Sequence, residues 1–231
     1  MTEVLAAVPD TTIVDDHVYQ PQHDSRLLAD TLASTGLARG SRVADLCTGS
    51  GVLAIRAAKL GASDVTAFDL SPSAVAAARS NALEAGVVVS VRRESFADAA
   101  AYGPFDVVTC NPPYVPEPQD PSITPVPLHA PPPLSYDAGP DGRLVLDPLC
   151  DAAPELLADN GTMLIVHSEL AGVDASLSSL RAAGLKAAVI ARQWIPFGPV
   201  LTARAAWLES TGRIATGRRI EQLVVIRADV P

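Results

Sequence analysis

The sequence predicts an α/β fold, in which a mostly parallel sheet of seven strands is covered by helices on both faces. Short apolar runs alternate along the chain with alanine-rich segments of helical period, which is the pattern of repeated strand and helix units. Glycines stand where several helical segments end, as Gly36, Gly61, Gly86 and Gly184 do. The 231 residues fill one domain well and are short for two, so we expect a single domain.

Each predicted strand is an apolar run, and most of the predicted helices carry a start or stop signal. Ser71 followed by Pro72 is the clearest start signal, because it joins an N-cap hydroxyl to a proline in the first helical position. We expect the seventh strand to return antiparallel to the other six. The predicted strands are residues 42–47, 64–70, 87–92, 105–110, 162–167, 186–192 and 220–227, and the predicted helices are residues 25–34, 52–60, 72–84, 144–157 and 173–183.

The expected domain divides into three parts. Residues 1–40 are an amino-terminal arm and first helix, residues 41–192 are the alternating core, and residues 193–231 are a connector and the last strand. Eleven of the 20 prolines fall in residues 112–140, a stretch that can be neither helix nor interior strand. Because this loop follows the fourth strand, we expect it at the carboxyl edge of the sheet, where open α/β folds bind ligands.

Composition excludes several classes of protein. The chain carries 17 basic and 26 acidic side chains, a net charge of −9, which argues against a general binder of nucleic acid or anionic membrane. Its three cysteines are far apart and its four histidines lack metal spacing, so we predict neither a disulfide scaffold nor a metal site. The sequence has no signal segment and no apolar run long enough to cross a bilayer, so we expect a cytoplasmic protein.

A glycine loop follows the first predicted strand. Gly49 and Gly51 can adopt positive φ and let the backbone approach a ligand at the start of the next helix. With Ala54, and with Asp69 about 20 residues later, they also satisfy a dinucleotide fingerprint. Asp45 separates the two hypotheses, because an anion at the end of the first strand disfavours a pyrophosphate and favours a cationic amine, such as that of S-adenosylmethionine. Each acid also has an alternative, purely structural interpretation. Asp45 would interact with the dipole of the next helix, and Asp69 would be a turn residue before Ser71.

The motif Asn111-Pro112-Pro113-Tyr114, at the end of the fourth predicted strand, is the most specific signal in the chain. Methylation of a planar nitrogen, as in an amide or the exocyclic amine of adenine, requires an enzyme to hold both N–H hydrogens. The Asn111 side-chain oxygen and the Pro112 carbonyl can each accept a hydrogen bond from one of these N–H groups. The prolines restrict the backbone, so both acceptors are oriented before the substrate binds. Tyr114 offers a flat face for the amide or base. The competing interpretation is an ordinary proline turn.

The order of these motifs resembles the HemK-type methyltransferases, which transfer methyl from S-adenosylmethionine to a glutamine amide of peptide-chain release factors. The segments VYQPQHDSRLLAD, residues 18–30, and AGPDGRLVLD, residues 138–147, resemble the short branch of that family. About 40 residues precede the glycine loop, too few for the helical amino-terminal domain of the bacterial members. The resemblance implies a Rossmann-like class I methyltransferase fold, with residues 41–192 as the cofactor-binding core.

The resemblance also implies roles for particular residues. Asn111, Pro112 and Tyr114 are the expected catalytic residues, and with Pro113 they form the expected substrate clamp. The residues expected to bind the cofactor are Tyr19, Ser25, Asp45, Thr48, Gly49, Gly51, Asp69, Leu70, Ser95, Phe96 and Asn111.

The chain departs from the family pattern in two places. Cys47 replaces the first glycine of the loop, so the turn there must accept a side chain. At the end of the third strand, where the family has an acid beside the adenine, Glu94 and Ser95 compete for that position.

The charge is unevenly distributed. Residues 181–231 carry eight basic and three acidic side chains, a net charge of +5, and residues 1–180 carry nine basic and 23 acidic, a net charge of −14. We consider two hypotheses for the connector, residues 193–219. In the first, it recognises a macromolecular substrate. In the second, residues 200–210 form a short amphipathic helix that packs Trp207 on the sheet. The basic and aromatic residues in or beside it are Arg192, Arg204, Arg213, Arg218, Arg219, Trp194, Phe197 and Trp207.

The leading hypothesis is an S-adenosylmethionine-dependent N-methyltransferase that acts on a release-factor glutamine. An adenine N-methyltransferase of RNA or DNA is the alternative, since the clamp serves that amine equally well and the basic connector offers a contact for nucleic acid. A cofactor-binding protein without catalysis and a nicotinamide-dependent enzyme are weaker alternatives. Because some members of the short branch need a small partner protein, a small activator protein is a candidate partner. Other members of the short branch act on lysine, and the motifs of this sequence do not distinguish a lysine acceptor from a glutamine acceptor.

Overall fold

A computed structural model describes residue 18 and residues 20–124 and 132–231 of the protein. The described strands are β1 (Arg42–Leu46), β2 (Asp64–Phe68), β3 (Ser90–Arg92), β4 (Phe105–Cys110), β5 (Leu157–Ser168), β6 (Lys186–Pro196) and β7 (Ile220–Asp229). They form one sheet in the order β3-β2-β1-β4-β5-β7-β6. Strand β7 runs antiparallel to both of its neighbours, and the remaining strands are parallel. The predicted fold class and the reversed last strand are confirmed.

Helices connect most of these strands. The helix that follows β2 begins as the sequence predicts, because the Ser71 hydroxyl accepts a hydrogen bond from the Ala74 N–H and Pro72 occupies the first turn. The described helices are α1 (His23–Thr35), α2 (Val52–Lys59), α3 (Pro72–Glu84), α4 (Phe96–Ala99), α5 (Leu146–Leu156), α6 (Val173–Ala182) and α7 (Pro199–Ser210).

The apolar core lies in two layers, one on each face of the sheet. Consecutive residues of β4 belong to different layers, with Val107 on one face and Val108 on the other. Leu28 of α1 and Leu53 of α2 pack in the first layer, and Leu149 of α5 packs in the second. Burial on both faces holds the ends of β1, β2 and β4 in a fixed relation, which positions the loops that follow them.

The observed bounds differ from the predicted ones where pairing extends or shortens a strand. Strand β6 continues past residue 192 because it pairs with β7 along its length, as Trp194 does with Gln222. Strand β3 begins only at Ser90 and pairs with β2 through three residues at the edge of the sheet. Helix α4, which begins with a capping box between Ser95 and Asp98, is not among the predicted helices.

Within the described ranges, no helix combines the length and the hydropathy that a bilayer crossing requires.

The connector between β6 and β7 folds as α7 and packs on the proline-rich loop. Trp207 packs against a cluster made by Leu201, Leu208 and Ile214, and not on the sheet as the helical hypothesis expects. The connector therefore builds its own small apolar cluster beside the core.

Three of the connector arginines hold this arrangement together through ion pairs inside the protein. Buried Arg204 donates to the Asp137 carboxylate at 2.5 Å and to the Pro116 carbonyl at 3.0 Å. Arg218 pairs with Glu169, and Arg219 with Glu209. These contacts account for much of the positive charge of the segment without a macromolecular partner.

The Arg204 ion pair should matter most for stability. Arg204→Leu leaves the Asp137 carboxylate without its cation in a partly buried position, so we expect the free energy of unfolding to fall by about 3 kcal/mol. Arg219→Leu is the control, because its guanidinium is half exposed and should contribute little. Urea denaturation of both variants measures this difference, and equal losses would contradict the role assigned to Arg204.

Candidate active site

A cavity of about 530 Å³ opens at the carboxyl end of the parallel strands. Its volume lies within the roughly 300–1,000 Å³ of small-molecule sites, and its position is the usual one for ligands in open α/β sheets. Asp45 and Gly51 do not line this cavity, and Tyr19 lies outside the described residues. The predicted site residues that line it are Ser25, Thr48, Gly49, Asp69, Leu70, Ser95, Phe96, Asn111, Pro112, Pro113 and Tyr114.

The glycine loop after β1 turns through three left-handed residues. Cys47, Gly49 and Gly51 have φ values of 54°, 54° and 84°. The family position occupied by Cys47 thus keeps its left-handed turn despite the side chain. A Cβ on Gly51 would lie 3.0 Å from the Cβ of Ala78 in α3, whereas one on Gly49 would meet no atom within 4 Å. Gly51 is therefore needed for packing, and Gly49 leaves open space.

Asp45 lies on the side of the loop that faces away from the cavity, and it stabilises the loop through hydrogen bonds. One of its oxygens accepts hydrogen bonds from the Thr48 hydroxyl at 2.6 Å and the Ala54 N–H at 3.1 Å, and the other accepts from the Thr109 hydroxyl at 2.9 Å. Burial raises the pKa of this carboxyl to about 6, against the lowering effect of those hydrogen bonds. The structure thus places Asp45 as a support of the loop and not on the cavity wall.

Asp69, at the end of β2, lines the cavity and also fixes the glycine loop. Its carboxylate accepts from the Gly49 N–H and the Ser71 N–H, each at 2.9 Å. Burial raises its pKa, and the backbone hydrogen bonds lower it in part. A carboxylate has about four acceptor positions, so Asp69 keeps capacity for the hydroxyl groups of a ligand.

Glu94 and Ser95 both line the cavity after β3, and both already have partners. The Ser95 hydroxyl donates to the Asp98 carboxylate at 2.6 Å within the capping box of α4. Glu94 accepts from the Tyr102 hydroxyl at 2.8 Å. Phe96, the first residue of α4, adds an apolar ring to the same wall.

The clamp motif is anchored by the first turn of α1. The Asn111 side-chain nitrogen donates to the Ser25 hydroxyl oxygen at 3.2 Å. The Tyr114 hydroxyl donates to the Asp24 carboxylate at 3.0 Å, and that carboxylate also accepts from the Ser25 N–H at 2.6 Å. The side-chain oxygen of Asn111 has no partner among the described residues, so it can accept a hydrogen bond from a ligand.

Two residues of this site were missed in the sequence. Asp24 lies inside the segment that resembles the short branch, and its position beside Ser25 was the available signal. Glu221, the second residue of β7, lines the cavity although only 5% of it is exposed. Nothing in the alternating pattern of β7 marks it, because its surroundings come from distant parts of the chain.

The cavity wall is negatively charged. Its described residues include five carboxylates and no lysine or arginine. Such a wall favours a cationic ligand and disfavours a phosphate. The five carboxylates belong to Asp24, Asp69, Glu94, Asp137 and Glu221.

Similarity to known proteins agrees with this geometry. A family model described as the Methyltransferase small domain matches residues 20–124. An inferred protein N5-glutamine methyltransferase of Methanocaldococcus jannaschii is 31% identical over 188 residues, which cover 81% of this chain and 91% of that protein. The chain belongs to the HemK-type family of glutamine methyltransferases.

Two further relatives of this HemK-type chain are informative. A release factor glutamine methyltransferase of Deinococcus radiodurans is 36% identical over 149 residues, and the match spans 64% of this chain but only 52% of that protein. The Mtq2–Trm112 complex of E. cuniculi, which is responsible for methylation of the translation termination factor eRF1, contains a chain with a TM-score of 0.63 and 21% identity. That likeness covers 93% of this chain and 99% of the other, and it shows the fold.

The cofactor of this methyltransferase is S-adenosylmethionine. The cavity fits it on physical grounds, because the cofactor carries an ammonium and a sulfonium cation and the described wall holds carboxylates without a lysine or arginine. Asp69 adds an acceptor for ribose hydroxyls beside Gly49, where the backbone is open to the ligand.

The two loop glycines should respond differently to substitution. Gly51→Ala adds a methyl group against Ala78 at a left-handed φ, so we expect a loss of about 2 kcal/mol in the free energy of unfolding. Gly49→Ala adds the strain without the clash, so its larger effect should be on the affinity for S-adenosylhomocysteine. Denaturation and calorimetry of both variants separate these effects, and identical profiles would contradict the assignment.

Proposed function

We propose that this enzyme methylates the side-chain amide nitrogen of a glutamine in a peptide-chain release factor. One observation carries the proposal: the Asn111 side-chain nitrogen is engaged by Ser25, so its oxygen stays available on the cavity wall directly after β4. The names of the relatives from M. jannaschii and D. radiodurans support an amide acceptor, and the eRF1-methylating complex supports a translation factor.

The clamp would act by orienting the acceptor amide. The Asn111 oxygen and the Pro112 carbonyl accept its two N–H hydrogens, which turns the nitrogen toward the methyl donor. The prolines hold both acceptors before the substrate arrives, so little reorganisation is needed. Tyr114, fixed by its hydrogen bond to Asp24, provides a flat apolar face for the amide. When bound, S-adenosylmethionine supplies an electrophilic methyl group.

We propose direct and indirect roles for the other site residues. Asp45 and Gly51 would act through the glycine loop, because neither lines the cavity. Tyr19 keeps its proposed contact with the cofactor, although it lies outside the described residues. The residues proposed to touch the cofactor from the cavity wall are Ser25, Thr48, Gly49, Asp69, Leu70, Ser95, Phe96 and Asn111.

The adenine alternative gains no support from the site. A phosphate backbone is bound chiefly by lysine and arginine, and the described cavity wall has neither. Arg204, Arg218 and Arg219 of the connector are paired with carboxylates inside the protein. We therefore do not propose a nucleic acid substrate.

We further propose that the chain forms one methyltransferase domain that works in the cytoplasm, where release factors act.

A small activator protein is part of this proposal. Among the described strands, the edge strand β3 has a neighbour on one side only, and Leu83 and Val88 beside it are 82% and 93% exposed. Turnover by the purified chain without a second protein would contradict a requirement for the activator.

Asn111→Ala tests the clamp. Loss of the side-chain acceptor should lower methyl transfer to a release factor by at least about 100-fold, while calorimetry shows S-adenosylhomocysteine still bound. Ser25→Ala is the graded control, because Asn111 then keeps its oxygen and loses the partner that orients it, while calorimetry with S-adenosylhomocysteine measures any loss of the proposed cofactor contact of Ser25. We expect a smaller loss, of about tenfold. Undiminished transfer by Asn111→Ala would remove the basis of the clamp.

A further inference from the structure

Glu221 is a buried carboxylate at the active-site edge of the sheet. It lies at the start of β7, which runs antiparallel and so begins at the edge where β4 ends. One of its oxygens, Oε2, is buried and has no hydrogen-bond partner among the described residues. An unpaired buried carboxylate oxygen is costly, and in a ligand cavity a role in binding or in a reaction explains such a group.

The other carboxylates of the described cavity wall are already engaged. Each accepts at least one hydrogen bond or ion pair from the protein, so none offers the same buried, unpartnered oxygen. The pairs are Asp24 with Tyr114, Asp69 with Gly49, Glu94 with Tyr102, and Asp137 with Arg204.

Glu221 is electrostatically coupled to the clamp. The charge of Asp24, on α1, acts on Glu221, and the same Asp24 accepts the hydrogen bond of Tyr114. Asp24 therefore acts on both Glu221 and the clamp tyrosine. Glu221 lines the same cavity as the clamp, and it is the carboxylate of the described wall with a buried oxygen that has no hydrogen-bond partner among the described residues.

Several groups set the proton affinity of Glu221. Burial raises its pKa to about 7, and the Asp24 and Glu169 carboxylates raise it further. The Ser168 hydroxyl of β5 and the Arg218 guanidinium of the connector lower it. Glu221 can therefore gain and lose a proton close to neutral pH, which suits a proton acceptor.

We propose that Glu221 accepts the proton that the acceptor nitrogen loses once it is methylated, a role that rests on the proposed function. In this step an N–H bond of the cationic, methylated amide breaks and its electron pair stays on nitrogen. An O–H bond forms on the Glu221 carboxylate, and the amide becomes neutral. Glu221 then passes the proton to solvent and is ready for the next cycle.

Glu221→Gln tests this role through the pH dependence of kcat. The ionised carboxylate is the active form, so the kcat of the wild type should rise with pH through about 7 and then level off. The variant should be about 100-fold slower at the plateau and should lack this rise. Its KM for the release factor and its affinity for S-adenosylhomocysteine should stay near the wild-type values.

Two control variants sharpen the test. Glu169→Gln removes a neighbouring negative charge and releases Arg218, so the rise in kcat should move to lower pH while the plateau is kept. Glu155→Gln, on the exposed face of α5, should leave the profile unchanged. Carbon-13 spectra of the glutamate carboxyls should also show a group that titrates near pH 7 in the wild type and is missing from Glu221→Gln.

The outcomes separate the two proposals. If the wild type methylates a release factor and Glu221→Gln keeps its rate and its pH profile, the proton-acceptor role is wrong and the proposed function stands. Loss of S-adenosylhomocysteine binding in Glu221→Gln would also overturn the role, because it would indicate a structural one. If the wild type transfers no methyl group to any release factor, with or without a small activator protein, the proposed function fails and the role of Glu221 fails with it.

Discussion

Two hydrogen bonds between the start of α1 and the loop after β4 are the constraint on which the site depends. The Asn111 side chain donates to Ser25, and the Tyr114 hydroxyl donates to Asp24, across 86 and 90 residues of sequence. The first bond engages the Asn111 side-chain nitrogen and leaves its oxygen available to a ligand, and the second fixes the orientation of the Tyr114 ring. Because Asp24 and Ser25 are themselves buried, these bonds form in a place where water competes weakly.

The same constraint explains the amino-terminal segment. Helix α1 is held by Leu28 and Leu32 in the apolar layer over β1 and β4, so its first turn has a fixed position above the carboxyl ends of those strands. The clamp loop, confined by its prolines, meets that turn of α1 directly. Anchoring of the loop thus comes from within the sheet and its own helices.

Charge distribution links composition to chemistry. The excess of acidic residues in the first 180 positions includes four of the five carboxylates of the described cavity wall, which suit a cationic cofactor. Three of the eight basic side chains near the carboxyl end fix the connector through ion pairs, of which the Arg204 pair is buried. Net charge alone describes neither effect, since both depend on where the charges lie.

The sequence predicted the features that follow from local pattern and sheet geometry. Strands, their direction and the meeting of the glycine loop, Asp69 and the clamp at one edge all depend on periodicity and on the parallel arrangement. It missed features that depend on distant partners. Asp45 accepts a hydrogen bond from the distant Thr109 hydroxyl, and the pKa of Glu221 is raised by the distant carboxylates of Asp24 and Glu169. No spacing rule brings such residues together.

The identity of the methylated atom tests the central claim most directly. A release factor incubated with the enzyme and isotopically labelled S-adenosylmethionine can be digested and sequenced by tandem mass spectrometry. We expect one labelled methyl group, on the side-chain nitrogen of a single glutamine. A label on a lysine or on copurified RNA, with none on glutamine, would contradict it.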